Sequence, residues 1–184
     1  MQKRKNEAPM TMVGGSSLLI IFVVLCLVVF ALLGSLTFCA KMVMAGLPNI
    51  EPVSIFLIVF TAVFGLKAMY IAVVYVMLEF LVWGMGLWWM MYVYIWPLFC
   101  LLCYLFRRMD SSLGWAILSG AFGLAFGALC TPVYAISGGI SYALTSWVSG
   151  IPFDLAHCAG NFALALVLYK PLSKGLKKIT AQFM

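Results

Sequence analysis

The residues best suited to chemistry in this chain are Asp154, His157 and Asn161, within the otherwise apolar segment from Gly150 to Pro171. Their spacing of three and then four residues places the three side chains on one face of a helix, over about two turns. Polar side chains on a helix of membrane-spanning length need partners. The triplet therefore indicates either polar contacts to a bound ligand or a structural seam that hydrogen-bonds neighbouring helices.

Further candidates lie earlier in the chain. Glu79 lies inside an apolar run, where a lone carboxylate must be paired or protonated, so that ligand contact and pairing with His157 both remain open. Aromatic residues crowd a glycine-flanked turn, and most of them are typical of an interfacial belt. Trp88 or Trp89 in that turn would also suit stacking on a flat or cationic ring. The complete set predicted to bind substrate is Asp154, His157, Asn161, Glu79, Asn49, Trp88 and Trp89.

Composition restricts the class of protein. Of the 184 residues, 66% are hydrophobic and 9% are charged, and the mean hydropathy is +1.15. Soluble globular proteins carry about 25% charged residues, so these values predict an integral membrane protein. The net charge of +6 does not indicate nucleic-acid binding, because the basic residues form short runs at predicted helix ends instead of a surface stripe.

The elements that must position these side chains are predicted to be about six membrane-spanning helices in one compact all-α bundle. The first apolar run is too long for a secretory signal. Pro152 suits the first position of the last helix, after a Ser/Gly-rich connection that extends from residue 136 to 150. The predicted helices cover residues 17–40, 53–65, 68–84, 88–106, 113–135 and 151–173, and the membrane domain covers 17–174 between basic tails at 1–16 and 175–184.

The basic residues also predict the orientation of the bundle. An even number of spans places both termini on the same side of the membrane. Lys41 is then the one basic residue of the 11 on the opposite side. The positive-inside rule therefore predicts cytoplasmic termini. In this orientation Asp154, His157 and Asn161 would line a half-cavity open to the outside, with Asn161 close to the membrane midplane.

Several motifs have simpler explanations. Gly123-xxx-Gly127 predicts close packing between helices. The six cysteines are expected to be buried thiols, and Cys100-xx-Cys103 lacks the second pair that a zinc site needs. No metal or cofactor is therefore predicted. The sequence around His157, AHCAG, resembles the Ala-His-x-x-Gly of rhomboid proteases, but no Gly-x-Ser-Gly is present, so an enzyme is not expected.

Several segments together resemble the substrate-binding S components of energy-coupling factor transporters. The resemblance lies in the order, length and number of the predicted spans, over residues 30 to 175. It implies a six-helix bacterial plasma-membrane protein that binds a micronutrient from outside in a pocket closed by the loops between helices. The matching segments are LPNIEPV (47–53), VFG (63–65), and GIPFDLAH (150–157) continuing through Asn161-Phe162 to Lys170-Pro171-Leu172.

The resemblance also implies partners. Such proteins work with a membrane T component and two cytoplasmic ATPases, and this chain has no phosphate-binding loop of its own. Many S components dock through Ala-x-x-x-Ala in the first helix, whereas this chain has Ala31-xxx-Ser35 there. The excess of acidic residues around the predicted pocket favours a neutral or cationic ligand. The alternative is a structural or assembly protein of the membrane without a small ligand.

Overall fold

The computed structural model describes residues 11–47 and 49–182, with side chains from Ser17 onwards. All regular structure in these ranges is helical, and the prediction of an all-α chain is therefore confirmed. The helices are α1 (Thr11–Val43), α2 (Val53–Phe64), α3 (Ala68–Trp83), α4 (Leu87–Leu105) and α5 (Ser112–Thr180), with a short 3-10 turn at Gly65–Lys67 between α2 and α3.

Four helical stretches of the described chain have the length and composition needed to cross a membrane. Their mean hydropathies, between 1.5 and 3.2, agree with the prediction of a membrane protein. The second stretch joins α2 and α3 and the fourth is the whole of α5. The stretches are Ser17–Val43, Val53–Trp83, Leu87–Leu105 and Ser112–Thr180.

Two glycines bend the longer stretches. Gly65, with φ of 61°, ends α2, and Gly139, with φ of 82° and ψ of 174°, interrupts the helical geometry of α5. A side chain would be strained at either φ value, whereas glycine adopts both at little cost. The bend at Gly139 folds α5 into two arms, residues 112–138 and 140–180, which lie antiparallel against each other.

Contacts between helices show that successive segments run in alternate directions. α1 is parallel to α3 and antiparallel to α2, and each later segment is antiparallel to the one before it. As a result, the end of α1, the start of α2 and the end of α3 meet at one end of the bundle. The contacts that define these directions are Phe30 with Tyr70 and Phe64, Lys41 with Glu79 and Glu51, Tyr75 with Tyr92 and Phe80 with Trp89, Phe99 with Phe122 and Tyr92 with Phe126, and Gly127 with Asp154 and Ser119 with Asn161.

An aromatic cluster forms the centre of the core between α3, α4 and the first arm of α5. Trp96 is fully buried and touches the rings of Tyr75, Tyr92, Phe122 and Phe126 at centroid distances of 5.6 to 6.1 Å. Edge-on and tilted ring pairs of this kind add to the stabilisation that comes from burial. The cluster gives α4 and α5 a fixed spacing next to the polar residues at the end of the bundle.

The connection predicted before the last helix is wrong. Residues 140–150 are helical, and Pro152 lies inside α5 instead of at its first position. The chain reverses at Gly139 alone, and the hydroxyl of Ser149 donates to the carbonyl of Thr145 one turn back, so the Ser- and Gly-rich sequence is accommodated within the helix. The helix also continues to Thr180, into the predicted tail from 175. In the described residues the N-terminal helix covers Thr11–Val43 and so includes residues 11–16 of the predicted tail, whose residues 1–10 lie outside the described residues.

The packing predicted from the small residues is confirmed for the Gly123 and Gly127 pair. A Cβ added to Gly123 would lie 2.8 Å from the backbone carbonyl carbon of His157. A Cβ added to Gly127 would collide with the carboxylate of Asp154. The two glycines therefore let the arms of α5 approach closely enough for backbone and side chain to touch.

The six cysteines are free thiols, and they differ in burial. Cys100, Cys103 and Cys130 are buried, as predicted, whereas Cys26 and Cys158 are only partly buried. Cys39 is exposed, which contradicts the prediction for that residue, because it lies on a face of α1 that no other described helix covers. Within the described residues, no group of three or more metal-ligating side chains comes together.

Candidate functional site

A cavity of about 560 Å³ opens at the end of the bundle where α1 ends and α2 begins. This main cavity is within the size range of small-molecule sites, which also combine apolar walls with a few polar groups. Its walls come from α1, the loop before α2, α4 and both arms of α5. The polar and aromatic side chains that matter here are Lys41, Asn49, Glu51, Trp88, Tyr92, Phe126, Asp154 and His157.

Asp154 is held in place by the opposite arm of α5. The backbone N–H of Gly127 donates a hydrogen bond of 3.0 Å to its Oδ1 atom. The other carboxylate oxygen, Oδ2, is buried and has no hydrogen-bond partner among the described residues. Because buried polar atoms are nearly always hydrogen-bonded, the free oxygen of a side chain that lines the main cavity is suited to a ligand.

His157 lies one turn further along the same arm and is 2% exposed. Its ring meets that of Phe126 edge-on, with 4.9 Å between centroids. Neither of its ring nitrogens has a partner in the part of the chain that the structure describes. A neutral imidazole offers one donor and one acceptor, so Asp154 and His157 together present three unused hydrogen-bonding positions.

Lys41 connects three elements around the main cavity. Its Nζ atom donates hydrogen bonds to Glu79 Oε1 at 2.9 Å and to the Tyr92 hydroxyl at 3.3 Å, and it lies 3.8 Å from Glu51 Oε2. The same ammonium is 4.8 Å from the centre of the Tyr92 ring. The ion pair shows that the buried carboxylate of Glu79 is paired with Lys41 and not, as one of the two sequence hypotheses had it, with His157.

Glu51 lies in the loop before α2 and is shielded by the elements around it. Burial raises the pKa of its carboxyl, the positive charge of Lys41 opposes that rise, and the negative charge of Glu79 adds to it. Two carboxylates therefore share one ammonium at this position.

Glu79 and Trp89 lie in a smaller pocket of about 310 Å³ next to the main cavity. Lys41, Trp88 and Tyr92 line both spaces and separate them. The indole N–H of Trp89 donates to the backbone carbonyl of Val76 at 3.1 Å, which ties α4 to α3. Trp88 is 59% exposed, and of the two tryptophans it is the one that lines the main cavity.

Asn49 and Asn161 have different surroundings. Asn49 lines the main cavity, and its side-chain amide donates to the carbonyl of Phe153 at 3.1 Å, which ties the loop before α2 to α5. Asn161 is buried and donates to the carbonyl of Ser119 at 3.3 Å, between the arms of α5. It is absent from the lining of the main cavity, so its position agrees with the polar-seam alternative.

Of the seven predicted residues, the structure thus brings four around the main cavity: Asn49, Trp88, Asp154 and His157. Sequence reasoning did not select Tyr92, Phe126 or Lys41 for this site. The sequence did contain a signal for Lys41, because it was the single basic residue predicted on the same side of the membrane as the polar cluster. Tyr92 belongs to the aromatic residues that were interpreted as an interfacial belt, and Phe126 had no signal, since it lies in an apolar run.

No protein-family model, curated protein or solved structure matches this chain. Its function is therefore inferred from the main cavity and from the sequence patterns given above.

The tether made by Asn49 can be tested by a matched pair of substitutions. Asn49 has a φ of 56°, in the left-handed region that asparagine tolerates better than alanine. Asn49→Ala removes the hydrogen bond and adds backbone strain, and we expect it to lower the free energy of unfolding by about 1–3 kcal/mol. Asn49→Gly removes the bond alone and should cost less. Thermal unfolding in detergent measures the stability of both variants. An equal loss of stability in the two would contradict the prediction that alanine is strained at this position.

Proposed function

We propose that this protein is the substrate-binding S component of an energy-coupling factor importer. It captures a water-soluble vitamin or related micronutrient from outside the cell and delivers it through a T component and two cytoplasmic ATPases. The observation that carries the proposal is the main cavity, in which Asp154 and His157 present buried hydrogen-bonding atoms without partners. Among the described residues, unpartnered buried atoms also occur away from the main cavity, as at Asn161 and Ser119, so what distinguishes Asp154 and His157 is their position in the cavity lining.

The proposed topology has six crossings, divided by the bends at Gly65 and Gly139. It is supported by the alternating directions of the helical segments and by the location of the basic residues. Lys67 lies at the bend between α2 and α3. Lys170 pairs with Asp110 across 2.7 Å at the joint between α4 and α5, and the pairing lowers the pKa of the Asp110 carboxyl. Both positions are at the end of the bundle opposite the main cavity, so the positive-inside rule would place that cavity outside.

The proposed ligand contacts follow from the positions of the side chains. Asp154 and His157 would supply hydrogen bonds, and Trp88 or Tyr92 would lie against an apolar face of the ligand. Asn49 would act by holding the loop that closes over the main cavity, because its amide is already bonded to Phe153.

A second candidate function is structural, without a small ligand. It is favoured by the hydrogen bond from Asn161 to Ser119 and by the Lys41–Glu79 pair, since these use polar groups of the membrane helices to hold helices together. The two candidates differ in what they expect of Asp154 and His157. A structural protein needs neither residue to contact a ligand, whereas an S component would bind its ligand through both.

A ligand screen tests the proposal directly. The purified full-length protein is heated with each of a panel of water-soluble vitamins: thiamine, pyridoxamine, pyridoxine, riboflavin, biotin, pantothenate and nicotinate. We expect one compound to raise the unfolding temperature in a concentration-dependent way. At 100 times its Kd, it should stabilise the folded protein by about 2.7 kcal/mol. Mass spectrometry of the protein as purified should find the same compound or a close relative. Absence of any stabilisation, together with absence of a co-purified small molecule, would favour the structural candidate.

A further inference from the structure

We infer that the main cavity selects an organic cation, a protonated nitrogen compound whose N–H group bonds to the free Oδ2 atom of Asp154. The inference rests on the proposed function and adds the chemical class of its substrate. It concerns the charge of the ligand and the residue that recognises this charge. Three features of the cavity lead to it.

The first feature is the geometry of Asp154. Oδ1 accepts the N–H of Gly127, so the carboxylate cannot rotate freely, and Oδ2 is left as an unused acceptor. The side chain is buried, with 4% of the residue exposed. A fixed and desolvated carboxylate oxygen is matched best by a donor that carries positive charge, because charge-assisted hydrogen bonds are about twice as strong as neutral ones.

The second feature is that the cavity has no spare positive charge. Among the described residues, Lys41 is the one lysine or arginine in its lining, and its ammonium is already engaged by Glu79, Tyr92 and Glu51. An anionic ligand would have to break this group or remain unpaired next to Asp154. Like charges held close together in a cavity cost several kcal/mol, so the arrangement rejects anions.

The third feature is the aromatic lining. The rings of Tyr92, Phe126 and Trp88 contribute to the same cavity as Asp154. The faces of aromatic rings attract cations electrostatically, as the position of Lys41 over the Tyr92 ring already shows within the protein. An organic cation with a flat apolar part can use both the carboxylate and the rings. A small hydrated metal ion cannot, and no metal-ligating group forms among the described residues.

The experiment compares ligands by charge and then removes the charge of Asp154. Binding of pyridoxamine, a cation with a protonated amine, is measured by calorimetry alongside riboflavin and pyridoxine, as neutral compounds, and biotin, pantothenate and nicotinate, as anions. We expect binding by a cation. Asp154→Asn keeps an oxygen for the Gly127 N–H and should weaken that binding by about 100-fold. The matched control is Asp110→Asn, which makes the same change in an exposed carboxylate at the opposite end of the bundle and should leave binding unchanged.

The outcomes separate this inference from the proposed function. Tight binding of a neutral or anionic vitamin would overturn the inference of a cation while leaving the S component proposal intact. Equal binding of the cation by wild type and Asp154→Asn would overturn the role of Asp154. Absence of binding across the whole panel, with no co-purified compound, would count against both. If Asp154→Asn does not fold, the charge of the compound that binds to the wild-type protein tests the inference of a cation by itself.

Discussion

Replacing Lys41 by methionine should lower the free energy of unfolding by about 3–5 kcal/mol, because the change leaves a buried carboxylate without its cation. The Glu79 side chain is 7% exposed, and its Oε1 atom is 2.9 Å from the Lys41 ammonium. Methionine keeps most of the length and apolar volume of the lysine stem, so that the loss reports the charge more than the packing. Unfolding by heat and by a denaturing detergent measures the effect.

A double substitution provides the control for the charge argument. Glu79→Gln removes the negative charge. In the double variant, Lys41→Met with Glu79→Gln, neither position carries a charge. We expect the double variant to be more stable than Lys41→Met alone, since breaking a buried pair costs more than replacing both partners. A double variant that loses the sum of both single effects would contradict this. Lys170→Met breaks a pair in which both side chains are largely exposed and should change stability little.

The class of fold could be predicted from the sequence because it depends on composition. A chain with 66% hydrophobic residues and few charges has to place its apolar surface in lipid, and helices are the simplest way to satisfy its backbone there. The helix boundaries at Pro52 and at the Gly84 and Gly86 pair could also be predicted, since these residues cannot easily continue a helix. The start of the last helix was missed because a run of Ser and Gly usually indicates a loop, whereas here the chain reverses at Gly139 alone.

The candidate site was predicted in part. Asp154 and His157 were found because a polar side chain in an apolar helix is conspicuous. Asn161 was grouped with them by helical spacing, but one further turn takes it below the cavity and against Ser119. The partner of Glu79 depends on the parallel packing of α1 and α3, which brings together residues 38 positions apart. No local pattern encodes that pairing, so sequence reasoning offered the wrong partner for this carboxylate.

The close approach of the two arms of α5 holds Asp154 and His157 against the first arm. A substitution that separates the arms should therefore have the second large effect on stability. At position 123 an added Cβ would lie 2.8 Å from the carbonyl carbon of His157 and 2.9 Å from the nitrogen of Cys158. Both are backbone atoms inside a helix, so neither can move aside alone. Gly123→Ala should therefore separate the arms and lower the free energy of unfolding by about 1–3 kcal/mol.

Two other glycines of α5 calibrate this measurement. Gly175 has no atom within 4 Å of an added Cβ, so Gly175→Ala should raise stability by about 0.5–1 kcal/mol through helix propensity alone. Gly120 is intermediate, because its Cβ would lie 3.3 Å from the carbonyl oxygen of Cys158. Thermal unfolding in detergent should rank the variants with Gly175→Ala highest and Gly123→Ala lowest. If Gly123→Ala is as stable as Gly175→Ala, the arms do not pack as closely as this geometry requires, and the fixed position of the Asp154 carboxylate loses its explanation.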